Sequence, residues 1–155
     1  VIATEGTISS GMYEGFLKST NPEVEVYGKA CPLFVPLAEE CWLNDPVTKL
    51  VAERYLAELK EKQIDTLVLG CTHYPLLRKV IGEVMGENVT LVNPAYETAQ
   101  ELRYVLEDNH ILSENKEVPA HKFYVSDGAE KFRRIANMIL PCDIEVEDVA
   151  IQSLE

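Results

Sequence analysis

Thr66-Leu67-Val68-Leu69-Gly70-Cys71-Thr72-His73-Tyr74-Pro75-Leu76-Leu77 decides how the chain is read. An apolar, strand-like segment ends in Gly70. A thiol, a hydroxyl and an imidazole follow in consecutive positions, and Pro75 opens an apolar stretch with helical spacing. The layout places Cys71 at the carboxyl end of a buried strand, just ahead of a helix N-terminus. Unpaired backbone N–H groups and the helix dipole favour an anion there, and the thiolate is the reactive form of cysteine. Cys71 is therefore a candidate catalytic group, with His73 on the same side as its proton partner. The competing reading is a buried, inert cysteine beside an ordinary surface histidine.

Outward from this stretch, strands and helices alternate, which predicts an α/β fold with a mainly parallel sheet flanked by helices in three αβα layers. Strands are expected at 1–3, 24–27, 66–70, 89–92, 123–125 and 144–146. Ser9 or Ser10 is expected to cap a helix through Ser19, and Asn21-Pro22 marks a turn. A short helix is expected over 33–40. Asn44-Asp45-Pro46 is a strong helix start, followed by the apolar stripe Val47, Leu50, Val51, Tyr55 and Leu59 as far as Lys62. Leu76, Leu77, Val80, Ile81 and Val84 form the next helix face, and Asn93-Pro94 breaks the strand before a helix over 97–107. Residues 108–120 are polar and turn-prone, the best candidate linker. Ser126-Asp127-Gly128 turns the chain into a last helix over 129–140.

The 155 residues, 46% of them hydrophobic, are enough for a domain with a real core. A formal net charge of -12, with no run of Lys and Arg above the scatter and Arg133-Arg134 only a dipeptide, argues against nucleic acid as a partner. No apolar run approaches the length that spans a bilayer, so no membrane partner is expected, and the opening residues do not read as a leader. Cys31, Cys41, Cys71 and Cys142 are scattered, as in a reducing cytoplasm rather than a disulfide framework. The chain opens at Val1 in the middle of a strand pattern, which reads as entry into a longer fold.

Other residues carry weaker signals. Cys-x-His lacks the paired spacing of structural zinc, so no metal site is expected. Thr72 is either an anchor for a substrate carboxylate or a plain helix cap. Thr4, Thr7, Ser9 and Ser10 form a hydroxyl-rich loop after the first strand, either ligand groups or turn residues. Glu39 and Glu40 end a short helix, where a negative charge opposes the dipole. Either of them could hold an ammonium group or orient His73, and a solvated helix end explains them too. Cys31, Cys41 and Cys142 have no histidine beside them and read as structural. No Gly-x-Gly-x-x-Gly or Walker-type motif is present, so no nucleotide cofactor is expected.

Gly70-Cys71-Thr72-His73-Tyr74-Pro75-Leu76-Leu77 resembles the second catalytic cysteine motif of bacterial glutamate racemases. Thr4-Glu5-Gly6-Thr7-Ile8, Ser10-Gly11-x-Tyr13, Ala30-Cys31-Pro32-Leu33-Phe34-Val35-Pro36-Leu37 and Phe123-Tyr124-Val125-Ser126-Asp127 agree with the same family in the same order. The resemblance covers nearly the whole chain. Its Gly-Cys-Thr core is shared with aspartate and hydantoin racemases; the His-Tyr-Pro-Leu-Leu extension is more specific to the glutamate enzymes.

The resemblance implies a cofactor-independent isomerase in which two cysteines flank the substrate α-carbon, one removing a proton and the other returning one on the opposite face. It implies Cys71 as one of the two, His73 as its assistant and a substrate contact, Thr72 as a carboxylate contact, and Glu39 as the supporting acid, with Glu40 a close competitor. It further implies glutamate as substrate, peptidoglycan synthesis as destination, and the cytoplasm as location. Self-association is expected from exposed strand edges. The family's Asp-Ser-Gly and Cys-Asn-Thr segments do not occur here. Residues 1–94 are thus expected to form the lobe carrying Cys71, and 95–155 to return to a first lobe. The 155 residues alone are expected not to racemise glutamate. The alternatives are a non-catalytic racemase-like binding or interaction module and a related aspartate- or hydantoin-type racemase.

Overall fold

The computed structural model describes residues 1–115, 117, 121–140, 144–145 and 148–152. They group into two compact units, Val1–Leu112 and Ser113–Glu155, and the division falls inside the polar stretch 108–120. The architecture is α/β, with short parallel strand pairs flanked by helices.

In the first unit, β1 (Ile2–Ala3) pairs in parallel with β2 (Lys29–Ala30), in the register Ile2 to Lys29 and Ala3 to Ala30. β3 (Thr66–Val68) pairs in parallel with β4 (Thr90–Val92), Leu67 opposite Leu91. A single parallel bridge between Ile2 and Leu69 joins the two ladders, so the strands run in the order β2, β1, β3, β4. The chain winds one way from β1 to β2 and the other way from β3 to β4. In open parallel sheets the crevice beyond the carboxyl ends of such a pair of strands, here β1 and β3, is where ligands bind. Thr4 leaves β1 at that crevice, and Gly70-Cys71-Thr72-His73 leaves β3 there.

The helices follow local rules. Thr4 caps α1 (Glu5–Ser9), its hydroxyl accepting from Thr7 N at 3.4 Å. This short helix occupies what reads in sequence as loop. α2 (Met12–Thr20) starts after Gly11, which takes a left-handed φ of 65°, while Ser10 Oγ accepts from Met12 N. α3 (Phe34–Glu39) is brief. Asp45 caps α4 (Pro46–Glu61), accepting from Val47 N at 2.8 Å, with Pro46 at the first helical position. A 3-10 turn over Tyr74–Leu77 leads into α5 (Arg78–Met85), and Asn93 caps α6 (Pro94–Asp108). The core of this unit gathers Ile2, Cys31, Phe34, Leu56, Leu67, Leu69, Tyr74, Leu77 and Ile81, all essentially without solvent contact.

Three sequence expectations are corrected. Residues 24–27 form no strand; β2 lies at Lys29–Ala30 instead. Val24, Val26 and Tyr27 are half-buried in alternation with exposed Glu25, so the pattern reports one covered side rather than a ladder. On α4 the buried residues are Thr48, Ala52, Leu56 and Leu59, while Val47 and Leu50 are 46% and 64% exposed. Small Thr48 and Ala52 face inward, and the Thr48 hydroxyl is satisfied by donating to Trp42 O at 2.6 Å.

The third correction lies in the second unit. β5 (Phe123–Val125) pairs in parallel with β6 (Val149–Ile151), and α7 (Ala129–Ile139) follows the turn at Gly128. Among the described residues the last strand is therefore at 149–151, and Ile144 and Glu145 form none; Val146 lies outside the described residues. Ile144 is buried with Ala136 and Val149 but makes no ladder. Its backbone is satisfied by the Asn137 side chain, whose Oδ1 accepts from Ile144 N at 2.7 Å while Nδ2 donates to Ile144 O at 3.2 Å.

Candidate active site

The site begins with the glycine ahead of the thiol. Gly70 N–H donates to Ile2 O at 2.8 Å, drawing the end of β3 against β1. A Cβ at this position would sit 3.0 Å from that carbonyl oxygen, 3.2 Å from Tyr13 Cε2 and 3.3 Å from Ala3 Cβ. A larger residue closes the strands here only if these neighbours give by a few tenths of an ångström. Gly70→Ala is expected to cost about 1–3 kcal/mol through overpacking, read as a lowered urea midpoint. An unchanged midpoint would mean that the seam between β1 and β3 yields freely.

Cys71, Thr72 and His73 occupy a bend and turn rather than the strand end itself. Leu76 N donates to His73 O, and Tyr74 N to Cys71 O, each at 3.1 Å. The first α-helical turn comes only at Arg78, after the 3-10 turn. The helix dipole therefore acts only weakly at Cys71, because its effect fades within a turn. The backbone N–H groups of Thr72 and His73 lie in this bend and turn.

The structure does bring the expected side chains together. Cys71 Sγ lies 4.0 Å from His73 Nδ1, and Thr72 Oγ1 lies 3.4 Å from the same nitrogen. On the other edge of the ring, His73 Nε2 lies 3.4 Å from Glu39 Oε1. With Nε2 carrying its proton toward that carboxylate, Nδ1 presents a lone pair to the thiol. Thiol, imidazole and carboxylate thus form a row in which a proton can pass between sulfur and nitrogen. Glu40, the competing acid, instead borders an apolar groove with Leu33, Trp42 and Val47.

Cys71 is half-buried and opens on a cleft of about 430 Å³. Tyr13, Thr72, Pro75, Asn93 and Thr98 form its walls. Tyr13, Asn93 and Thr98 add a ring edge and neutral polar groups that the sequence did not single out as site residues. Asn93 reads only as a strand breaker, and nothing in linear order ties it to Cys71; parallel pairing of β3 with β4 does. A larger cavity, about 560 Å³, lies between Val1, Tyr27, Lys62 and Thr66 and holds neither thiol nor imidazole.

The other cysteines differ from Cys71. Cys31 is fully buried, and burial pushes its thiol up to about 12. Iodoacetamide at pH 8 is expected to leave Cys31 unmodified in the folded protein and to label it after unfolding in urea, with peptide mass spectrometry as readout. Labelling of Cys31 in the folded chain would contradict the packing described. Cys41 is half-buried, with φ 66° past the end of α3 and its thiol donating to Glu39 O at 3.7 Å. Cys142 lies outside the described residues. Among the described residues no three His, Cys, Asp or Glu side chains group as a metal site, and no helix is long and apolar enough to cross a membrane.

A parallel-sheet lobe with a thiol, an imidazole and a carboxylate in a row beyond its two innermost strands defines the class: a doubly wound α/β protein. No protein-family model matches the chain. A glutamate racemase of Geobacter metallireducens is 51% identical over 140 residues, 90% of this chain and 52% of the relative. Glutamate racemase 2 of Caldanaerobacter subterraneus is 44% identical over all 155 residues, 58% of its own length. The crystal structure of a Francisella tularensis glutamate racemase in complex with D-glutamate superposes with a TM-score of 0.85 at 34% identity, covering 99% of this chain and 56% of that one. Along its whole length the chain is similar to glutamate racemases, and it spans about half the length of the relatives it matches.

Proposed function

We propose that the chain carries one side of the two-sided site of a glutamate racemase. What supports the reading most is the row Cys71–His73–Glu39, whose thiol opens on a cleft, within a chain related to these enzymes along its whole length. Inversion at an α-carbon needs a base on one face and an acid on the other. Cys71 takes one role, as thiolate accepting the α-proton or as thiol returning it. His73 Nδ1 relays that proton, and the 4.0 Å separation leaves room for tightening when substrate fills the cleft. Glu39 holds the imidazole from behind, and the N–H groups of Thr72 and His73 face the substrate carboxylate. The opposite face is served by a second lobe. Residues 1–94 make the lobe that carries Cys71, and 95–155 return to that second lobe. Consistent with this division, α6 buries none of its residues and leaves Tyr96, Leu102 and Tyr104 exposed.

In this reading D- and L-glutamate interconvert without an organic cofactor or a metal, in the cytoplasm of a bacterium, and D-glutamate supplies peptidoglycan synthesis. The partner is a small molecule, as D-glutamate is for the Francisella enzyme. The test is circular dichroism of L-glutamate with the protein joined to its second lobe: the signal decays to zero. The 155 residues alone leave it unchanged, since one thiol serves one face. Turnover of aspartate or a hydantoin in place of glutamate would redirect the assignment to a neighbouring racemase. Binding of glutamate without turnover in the two-lobed protein would make it a binding module.

A further inference from the structure

We propose that Tyr74 is a positioning residue for the His73–Glu39 pair, an inference that rests on the reading of His73 as the relay of Cys71. Tyr74 is fully buried, and its hydroxyl donates to Cys31 O at 2.8 Å. The same carbonyl accepts from Phe34 N at 3.1 Å, where α3 begins. The rings of Tyr74 and Phe34 meet edge to face, centroids 5.3 Å apart at 87°. Glu39 is the last residue of α3 and faces His73 Nε2. These links close a mechanical ring: His73 is bonded to Tyr74, Tyr74 holds the Cys31 carbonyl, that carbonyl holds the start of α3, and the end of α3 returns to His73.

A six-residue helix is a short lever, so a shift at its first turn reaches its last residue with little loss. The Tyr74 hydroxyl thereby sets the distance between the carboxylate and the imidazole, and with it which ring nitrogen carries the proton. It lines no part of the cleft beside Cys71 and acts through the His73–Glu39 pair.

Tyr74→Phe keeps the ring on Phe34 and removes only the hydroxyl. In the two-lobed protein kcat for glutamate is expected to fall roughly 10- to 100-fold with KM within about twofold, the signature of misplacement rather than lost binding. The ring ¹⁵N shifts of His73 are expected to move from a single Nε2–H tautomer toward a mixture. Thr48→Val is the control, since it removes a different core hydroxyl, the one bound to Trp42 O. It is expected to lower Tm while leaving kcat and the ¹⁵N shifts unchanged. If Tyr74→Phe lowers Tm but leaves both readouts as Thr48→Val does, the tyrosine is merely structural and the inference is overturned. If the unmodified protein does not racemise glutamate, the proposed function fails. The ¹⁵N comparison still decides the brace: a shift upholds it and no shift removes it.

Discussion

Cys71→Ala is expected to slow exchange of the glutamate α-proton by roughly 10²- to 10⁴-fold, the usual contribution of one positioned acid–base group. The measurement is deuterium wash-in from D₂O, followed by proton NMR on each enantiomer separately in the two-lobed protein. In the proposed reading the thiol serves one face, so the enantiomer whose proton points at Cys71 is expected to lose its exchange, while the other retains abstraction without inversion. The substitution removes a half-buried side chain at the cleft wall, so thermal stability changes little. Exchange of both enantiomers at the unmodified rate would assign the base elsewhere and leave Cys71 as a wall residue.

The largest stability effect is expected at Phe34. Its side chain has no solvent contact, and its ring stands edge-on to two others: Tyr74, and Tyr55 with centroids 5.5 Å apart at 89°. Truncation at a buried aromatic costs about 3–5 kcal/mol, and each edge-to-face pair adds about 0.5–1.5 kcal/mol beyond its buried area. Phe34→Ala should therefore sit near the upper end of that range in urea unfolding. Phe34→Leu, which keeps most of the volume, should cost much less. Equal losses for the two would place the stability of this core in something other than the aromatic cluster. In a domain of ordinary marginal stability the alanine variant brings unfolding close to working temperature.

The candidate site is more legible in the sequence than the scaffold around it. The run from Thr66 to Leu77 combined a strand pattern, a glycine and a proline, and each of these has a strong local meaning. The structure accordingly has β3, the bend at Cys71 and the turn into α5 in that order. The proximity of Cys71 and His73 followed from spacing, whereas that of Glu39 could not. Glu39 and Glu40 are equivalent in linear order, and only the azimuth of α3 against the 3-10 turn separates them.

The misread elements share a cause. Residues 24–27 and 144–146 have strand-like composition, yet strands of two or three residues are fixed by which neighbour is in reach, not by their own pattern. On α4 the larger apolar residues suggest one stripe in sequence, while close packing places Thr48 and Ala52 on the inside.

Three residues, Cys71 to His73, are suspended between two fixed posts: the Gly70 N–H on Ile2 O and the Tyr74 hydroxyl on Cys31 O. So short a span has already surrendered most of its freedom before any ligand arrives. Capture of a small acid by this loop should therefore lose little further chain entropy on the Cys71 side. A calorimetric ordering penalty on binding would then originate in the approach of the opposite wall.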